Sequence, residues 1–290
     1  QKNPIVNDGI LYIANSISYK IYAYDAQYDI SYLPNGFSDF SDNLGYDIIN
    51  TPVATDKNTI VVATGSSDSG GGIANKVVAL NANDLQSQEW MFSFGSVNSD
   101  DSSICYEASP VLSRNKIYLT SWNGDTSLLG DVFDFFNLST GNNKLICLTD
   151  EGSYEWSKDL PAGSFASPAV SEELDLVVAG CEKLNGESLF AFTLDGTSLW
   201  SADVGPIGYA SPVIYDETVY VVSKKTGQNP VTAFTQVVAL DSSSGDIKWN
   251  TTIGDMVPEL YSNAAYSGLA IAEGFLYVAS PDGVLCKIDA

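Results

Sequence analysis

Residues 237–249 read Val-Val-Ala-Leu-Asp-Ser-Ser-Ser-Gly-Asp-Ile-Lys-Trp. An apolar run ends at Asp241, a cluster of serines and a glycine follows, and a second run ends at Trp249. Apolar and β-branched runs bounded by Asp, Ser and Gly are typical of strands, and the cluster between them is typical of a tight turn. The stretch therefore predicts two antiparallel strands joined by a short connection.

The same unit recurs along the chain, and two apolar runs form the centre of each copy. The first run occupies residues 10–13, 60–62, 117–119, 176–178, 219–222 and 276–278, and the second occupies residues 21–25, 77–81, 145–149, 189–193, 237–241 and 285–289. A further strand precedes each pair and begins near Pro4, Pro52, Pro110, Pro168 and Pro212, with Gly268 near the equivalent place in the sixth copy. A fourth strand follows, and in four copies it contains a tryptophan: Trp90, Trp156, Trp200 and Trp249.

Six copies of a four-stranded unit predict an all-β fold, a β-propeller of four-stranded antiparallel blades. The prolines are 48, 58, 58 and 44 residues apart, which fits one blade per copy. We expect one domain over residues 1–290 with six blades; the alternative is part of a seven- or eight-bladed ring. The expected blades lie at approximately 1–35, 46–95, 106–160, 165–204, 209–253 and 264–290.

The repeat resembles that of the pyrroloquinoline-quinone-type, or quinoprotein-like, β-propellers. The resemblance is carried by residues 237–249 and by Val284-Leu-Cys-Lys-Ile-Asp-Ala290, which follows Ser280-Pro-Asp-Gly283. It implies that the tryptophans pack between blades, since large aromatic side chains dominate core energetics. We also expect turn-forming residues at the ends of the third strands, namely Asp25, Asn81, Asp241 and Asp289. The family includes dehydrogenases, an outer-membrane assembly lipoprotein and non-catalytic surface proteins, and we expect the non-catalytic surface branch.

The composition excludes several classes of function. The chain has 36 Asp and Glu residues against 13 Lys and Arg, a formal net charge of −23, and no histidine. Such a chain will not bind nucleic-acid phosphates by counterion release, and it lacks the imidazole of Ser-His-Asp catalysis. No apolar run reaches the about 18 residues of a membrane span, so no membrane insertion by this segment is expected. Strong acidity suits an extracellular or cell-surface location.

The longest connections fall on one face of the predicted ring. Because antiparallel strands alternate in direction, the first-to-second and third-to-fourth connections share one face, here called the short-turn face. The second-to-third and blade-to-blade connections share the other, here called the long-loop face. It holds the long segments 28–51, 65–75, 94–107, 123–143, 224–235 and 254–264. Long loops on a rigid scaffold commonly carry binding function, so we expect the working surface there.

Candidate binding residues lie on this face. Aromatic residues recur just before the innermost strands, and with Glu107 they form the predicted ligand site at the mouth of the central channel: Tyr46, Tyr106, Phe165, Tyr209 and Tyr266. These aromatics either stack on a flat ligand or fill the channel as core. The apolar stretch 128–136, with Phe133, Phe135 and Phe136, either folds over the ring or contacts a partner.

Three functions remain open from the sequence. The first is a non-catalytic propeller that binds a protein or a glycan. The second, implied by the resemblance, is a quinone-dependent dehydrogenase, but such relatives have eight blades and adjacent cysteines, whereas this chain has six units and four separated cysteines. The third is a carboxylate-based glycosidase or lyase, which needs a suitably spaced pair of acids. No cofactor is expected, and calcium binding stays an open alternative that no Asp-x-Asp-x-Asp-Gly loop supports.

The sixth copy supplies three strands before residue 290. We therefore expect an exposed edge there, to be completed by a longer native polypeptide or by a neighbouring molecule. Because residue 1 is Gln, we expect the chain to be processed or excised from a longer protein. Cys147 and Cys286 fall in opposite blades, too far apart for a disulfide. Cys105 and Cys181, in adjacent blades, are the better pair if any disulfide forms.

Overall fold

A computed structural model describes residues 3–15, 20–25, 38–39, 50–64, 76–93, 103–104, 108–123, 143–183, 185–226, 233–257, 268–280 and 283–290. The regular structure in these ranges is entirely β, with 25 strands and no helix. The strands form five four-stranded sheets, one three-stranded sheet and one two-stranded ribbon. The all-β propeller of four-stranded antiparallel blades is thus confirmed.

The first three blades occupy the N-terminal half. Blade 1 consists of β1 (Ile5–Asn7), β2 (Ile10–Asn15), β3 (Lys20–Asp25) and β4 (Ser38–Asp39). Blade 2 consists of β5 (Val53–Ala54), β6 (Thr59–Thr64), β7 (Lys76–Asn81) and β8 (Gln88–Ser93). A ribbon pairs β9 (Ser103–Ile104) with β12 (Trp122–Asn123). Blade 3 consists of β10 (Val111–Ser113), β11 (Lys116–Thr120), β13 (Lys144–Thr149) and β14 (Tyr154–Asp159).

The remaining blades follow in the same order. Blade 4 consists of β15 (Ala169–Ser171), β16 (Leu176–Gly180), β17 (Leu189–Phe192) and β18 (Ser198–Ala202). Blade 5 consists of β19 (Val213–Tyr215), β20 (Thr218–Thr226), β21 (Ala233–Asp241) and β22 (Ile247–Val257). Blade 6 consists of β23 (Ala270–Ala272), β24 (Phe275–Ala279) and β25 (Leu285–Asp289). Among the described residues it has three strands, as the repeat predicts.

Two predicted blade ends need correction. The fourth strand of blade 1 lies at residues 38–39, beyond the predicted end at 35, because no tryptophan marks it in the sequence. Blade 5 continues past the predicted end at 253, because Val257 still pairs with Ala233 in the extended hairpin of β21 and β22.

The core lies between neighbouring blades. One buried cluster joins Val61 and Ala79 of blade 2 to Ile117 and Leu148 of blade 3. Similar clusters join blades 1 and 2, blades 3 and 4, blades 4 and 5, and blades 5 and 6. A single twisted sheet cannot bury both of its faces, and side-by-side packing of blades solves that problem.

The tryptophans dock onto the next blade, which confirms their predicted packing role. Each indole lies across from a small residue of the third strand, in the pairs Ala79–Trp90, Cys147–Trp156, Ala191–Trp200 and Ala239–Trp249. Trp90 Nε1 donates to Asp150 O at 2.9 Å, and Trp200 Nε1 donates to Ser242 O at 2.8 Å. Each of these acceptors lies in the third-to-fourth turn of the following blade.

A glycine in the same turn lets the indole approach. Gly152, Gly196 and Gly245 have φ values of +80°, +89° and +76°. A Cβ atom at these positions would lie 2.4, 2.8 and 2.6 Å from Trp90, Trp156 and Trp200, respectively. The glycine therefore serves both the left-handed turn and the inter-blade contact.

Two of the four predicted turn formers, Asp241 and Asn81, make turn hydrogen bonds with their side chains. Asp241 Oδ1 accepts hydrogen bonds from the backbone N–H groups of Ser243 (3.0 Å) and Ser244 (3.2 Å). These bonds, with the Ser243 hydroxyl as the largest contributor, lower the pKa of Asp241 to about 2. Asn81 Oδ1 accepts from Asn83 N in the same way.

The three described cysteines, Cys147, Cys181 and Cys286, are free thiols, so Cys147 and Cys286 are not bonded to each other, as predicted. Cys105 lies outside the described residues. Burial raises the pKa of both the Cys147 and the Cys181 thiol to about 12.

Candidate functional site on the long-loop face

Two of the predicted binding residues, Phe165 and Tyr209, belong to the described part of the chain. The other seven lie outside the described residues: Tyr46, Tyr106, Glu107, Phe133, Phe135, Phe136 and Tyr266. Their predicted roles remain predictions.

Phe165 and Tyr209 stack on each other at the entrance to blades 4 and 5. Their ring centroids are 5.1 Å apart, with 20° between the ring planes. Phe165 is only 3% exposed, whereas Tyr209 is half-buried. Of the two aromatic residues, it is therefore Tyr209 that contributes the solvent-exposed surface.

The stack is positioned by hydrogen bonds between the starts of neighbouring blades. In four blades, the residue directly before the proline that starts the inner strand carries a hydroxyl group. The oxygen of this hydroxyl accepts a hydrogen bond from the backbone N–H of the residue at the same place in the preceding blade. The bonds are Asn3 N to Thr51 Oγ1 (3.1 Å), Thr51 N to Ser109 Oγ (2.9 Å), Ser109 N to Ser167 Oγ (2.8 Å) and Ser167 N to Ser211 Oγ (3.0 Å). Because Phe165 and Tyr209 each precede the serine by two residues, the last of these bonds brings their rings together.

These hydrogen bonds between blade starts show which residues occupy equivalent positions in successive blades. Counting back two residues from Ser109 gives Glu107, not Tyr106, as the counterpart of Phe165 and Tyr209. The same count from Gly268, which precedes β23 as Ser211 precedes β19, gives Tyr266. The hydroxyl positions, rather than the nearest aromatic residue, define this site.

A buried ion pair lies beside the aromatic pair and was not predicted. Glu182 N donates to Gly163 O at 2.9 Å, which ties Glu182 to the segment that ends at Phe165. Glu182 Oε2 lies 3.6 Å from Lys224 Nζ of blade 5, and the two side chains are 5% and 15% exposed. Burial raises the pKa of Glu182, an effect that Lys224 opposes. The only signal in the sequence is a charged pair, Glu182-Lys183, directly after a buried strand.

Polar side chains continue this cluster into blade 5. Val204 O accepts hydrogen bonds from Ser223 Oγ (2.5 Å) and Gln236 Nε2 (2.9 Å). Ser188 Oγ donates to Gly205 O at 2.8 Å. The segment that links blades 4 and 5 is therefore fixed by side chains from both blades.

Charged groups on the short-turn face hold blades together. Lys57 of blade 2 lies 2.9 Å from Asp150 and 2.6 Å from Glu151 of blade 3. Arg114 of blade 3 donates through Nη2 to Glu172 O at 2.7 Å, in blade 4. Hydrogen bonds from Ser113 Oγ and then from Arg114 N lower the pKa of Glu172. The turns of the short-turn face are therefore used for contacts between neighbouring blades.

The described residues of the candidate site carry groups that can make noncovalent contacts with a ligand or a partner. Within the described ranges no three His, Cys, Asp or Glu side chains come together as metal ligands. The same ranges contain no helix with the length and hydropathy of a membrane span. Aromatic surface, amides and one buried ion pair are groups suited to recognition.

Comparisons with known proteins agree with this architecture. The family model described as "Outer membrane protein assembly factor BamB" matches residues 133–255 and 195–290, together more than half of the chain. A search of curated proteins gives no match.

Solved structures with the same fold include BamB from Moraxella catarrhalis. It is 16% identical, with a TM-score of 0.63 over 99% of this chain and 71% of that one. The quinohemoprotein alcohol dehydrogenase from Comamonas testosteroni is 13% identical, with a TM-score of 0.62 over 97% of this chain and 51% of that one. Hydrazine synthase from Kuenenia stuttgartiensis is 11% identical, with a TM-score of 0.61 over 94% of this chain and 70% of that one. This chain thus spans about half the length of the dehydrogenase.

Proposed function

Since the chain belongs to the family described as outer membrane protein assembly factor BamB, a family of pyrroloquinoline-quinone-type propellers, we propose that it is a non-catalytic scaffold. It binds a partner protein through its long-loop face. The proposal includes an extracellular or cell-surface location, which the acidic composition and the family description support. No cofactor is part of it.

The observation that carries the proposal is the different use of the two faces. On the short-turn face, Lys57 and Arg114 contact the neighbouring blade, and the turn glycines receive tryptophans. At the long-loop face the described strands end where the longest segments of the sequence begin, and the partly exposed Tyr209 lies there. A rigid ring with long connections on one side is a common arrangement for binding.

The charges of the long segments specify the partner's chemistry. The six long segments 28–51, 65–75, 94–107, 123–143, 224–235 and 254–264 contain 13 Asp and Glu residues against two Lys, Lys224 and Lys225. Complementary charge steers association and suppresses wrong partners. We therefore expect the partner to present a basic surface, and the complex to weaken as salt rises.

The test is chemical crosslinking of the protein to envelope extracts of its native cells, followed by identification of the linked peptides. A charge reversal on the long-loop face, Asp100→Lys with Asp101→Lys, should reduce partner capture at least tenfold, in line with lost steering. The matched control is the reversal Asp56→Lys with Glu173→Lys in exposed short-turn positions. Equal capture by both variants would overturn the proposal.

The proposed lack of catalytic activity is tested separately. The protein is mixed with pyrroloquinoline quinone and calcium, and the visible absorbance and dye reduction with alcohols are followed. We expect no bound chromophore and no turnover. A stoichiometric spectrum with alcohol-dependent dye reduction would instead establish a dehydrogenase, and hydrolysis of a glycan panel would establish a glycosidase.

A further inference from the structure

A groove lies between blades 4 and 5 at the long-loop end. It encloses about 310 Å³, and its polar walls are Asn185, Asp203, Lys224, Gln236 and Asn250. The volume lies at the lower end of the about 300–1,000 Å³ that is typical of small-ligand pockets. The groove is therefore sized for a small molecule rather than for a folded partner.

The groove arises from a difference in strand length. β20 and β21 have nine residues each and β22 has eleven, whereas β16, β17 and β18 of blade 4 have five, four and five. Blade 5 therefore projects beyond blade 4, and segment 203–206 crosses the projecting part. Lys224 N donates to Pro206 O at 2.9 Å, and a Cβ at Gly205 would lie 2.1 Å from Lys224 O.

The amide groups of the groove have unused hydrogen-bonding capacity. Gln236 is 7% exposed, and its Nε2 donates to Val204 O at 2.9 Å and to Ser223 Oγ at 3.1 Å. Its side-chain oxygen accepts no hydrogen bond from any residue that the structure describes. The side-chain amides of Asn185 and Asn250 likewise make none within the described ranges. A buried acceptor is normally satisfied, so the inner wall calls for a donor from a ligand or water.

The charges around the groove select the class of ligand. Lys224 already faces Glu182 at 3.6 Å, and Asp203 lines the same groove, so an anion would meet two carboxylates and one ammonium. A divalent cation would meet Lys224. An apolar molecule would leave the amides unpaired. A hydroxyl group both donates and accepts, and so can pair with carboxylate, amide and ammonium groups alike.

We propose that this groove binds a neutral, hydroxyl-rich ligand of one or two sugar rings. One hydroxyl donates to the side-chain oxygen of Gln236 at the inner wall, and others pair with Asn185 and Asp203 at the rim. Val238 and Ile247, which also line the groove, contact the ring carbons. The site goes beyond the proposed protein-binding role and does not depend on it.

The test is an NMR titration of the ¹⁵N-labelled protein with D-glucose, D-galactose and N-acetyl-D-glucosamine. The side-chain NH₂ signals of Asn185, Gln236 and Asn250 report directly on the groove. We expect saturable shifts of these signals with at least one sugar. Inorganic phosphate and Ca²⁺, titrated separately, should leave them unchanged.

Variants locate the binding. Asn185→Ala and Asn250→Ala should each weaken the sugar about tenfold, because each removes a pairing group. Asn83→Ala, at an exposed turn of blade 2, is the matched control and should bind as the wild type does. The inference is overturned by the absence of saturable shifts up to millimolar sugar, by unchanged affinity in both groove variants, or by shifts with phosphate or Ca²⁺ alone. The Asp100→Lys, Asp101→Lys protein should retain sugar binding, which separates this site from the partner surface.

Discussion

The backbone N–H of Ser109 donates to the hydroxyl of Ser167, 2.8 Å away at the start of the next blade. The bond links two Ala-Ser-Pro tripeptides that are 58 residues apart, and equivalent bonds connect blades 1 to 5 in succession. Proline cannot donate a hydrogen bond and fixes its own φ, so it starts the inner strand, while the serine before it receives the neighbouring blade. The tripeptide is therefore an inter-blade connector as well as a strand start.

Removing one hydroxyl from this series should lower stability locally. Ser167→Ala leaves the Ser109 N–H without its acceptor, and we expect the free energy of unfolding to fall by about 1 kcal/mol. Urea denaturation followed by tryptophan fluorescence measures the change. Ser198→Ala, at an exposed strand position with no side-chain hydrogen bond among the described residues, should change it by less than about 0.5 kcal/mol. Equal effects of the two substitutions would contradict the connecting role.

Two substitutions separate the effect of the indole contact at a turn glycine from the effect of its left-handed backbone conformation. Gly196 has a φ of +89°, and a Cβ there would lie 2.8 Å from Trp156 Cδ2. Gly186 has a φ of +95°, with nothing within 4 Å of its Cβ position. Both Gly→Ala changes carry about 1–2 kcal/mol of left-handed strain. Only Gly196→Ala displaces a ring, so we expect it to cost about 1–3 kcal/mol more than Gly186→Ala in chemical denaturation.

Acidification should stabilise the protein through Glu182. Burial raises the folded-state pKa of this carboxyl above its ordinary 4.5, so the folded state binds the proton more tightly than the unfolded state does. The resulting stability is fully present below pH 4.5 and is lost as the pH rises through the folded-state pKa. Relative to Glu182→Gln, the wild type should therefore gain unfolding free energy as the pH falls from 8 towards about 4.5.

Urea titrations of both proteins across this pH range measure that difference. Glu187→Gln, in the same connection but exposed, is the control and should run parallel to the wild type. A wild type that loses stability relative to Glu182→Gln on acidification would show that the ion pair with Lys224 outweighs the burial of the carboxylate.

The fold follows from local patterns because each blade repeats them. Apolar runs, turn residues such as Asp241 and the recurring tryptophans specify four strands per unit without any long-range information. The fourth strand of blade 1 lacks a tryptophan, and its position at residues 38–39 was not predicted. The extra length of β22 also escaped prediction, because its pairing depends on the partner strand β21.

The site was predicted less completely, because its parts come from different blades. The stack of Phe165 on Tyr209 requires the bond from Ser167 N to Ser211 Oγ, which joins residues 44 positions apart. The contact between Glu182 and Lys224 depends on which blades are neighbours and on how segment 203–206 crosses between them. A sequence pattern reports the period of a strand, but it does not report which polar groups meet across an interface.

Trp200 and Trp249 occupy equivalent positions on the fourth strands of blades 4 and 5. Trp200 lies over Gly245 and donates to Ser242 O at 2.8 Å, whereas no acceptor lies within hydrogen-bond distance of Trp249 Nε1 in the part of the chain that the structure describes. Trp249 instead contacts Tyr220, with ring centroids 6.0 Å apart. Replacing either indole with phenylalanine removes similar apolar area, but only Trp200→Phe leaves a carbonyl without its donor. We therefore expect Trp200→Phe to lower the free energy of unfolding by about 1 kcal/mol more than Trp249→Phe. Urea denaturation followed by far-ultraviolet circular dichroism measures both, and equal losses would show that the indole hydrogen bond contributes nothing to the blade interface.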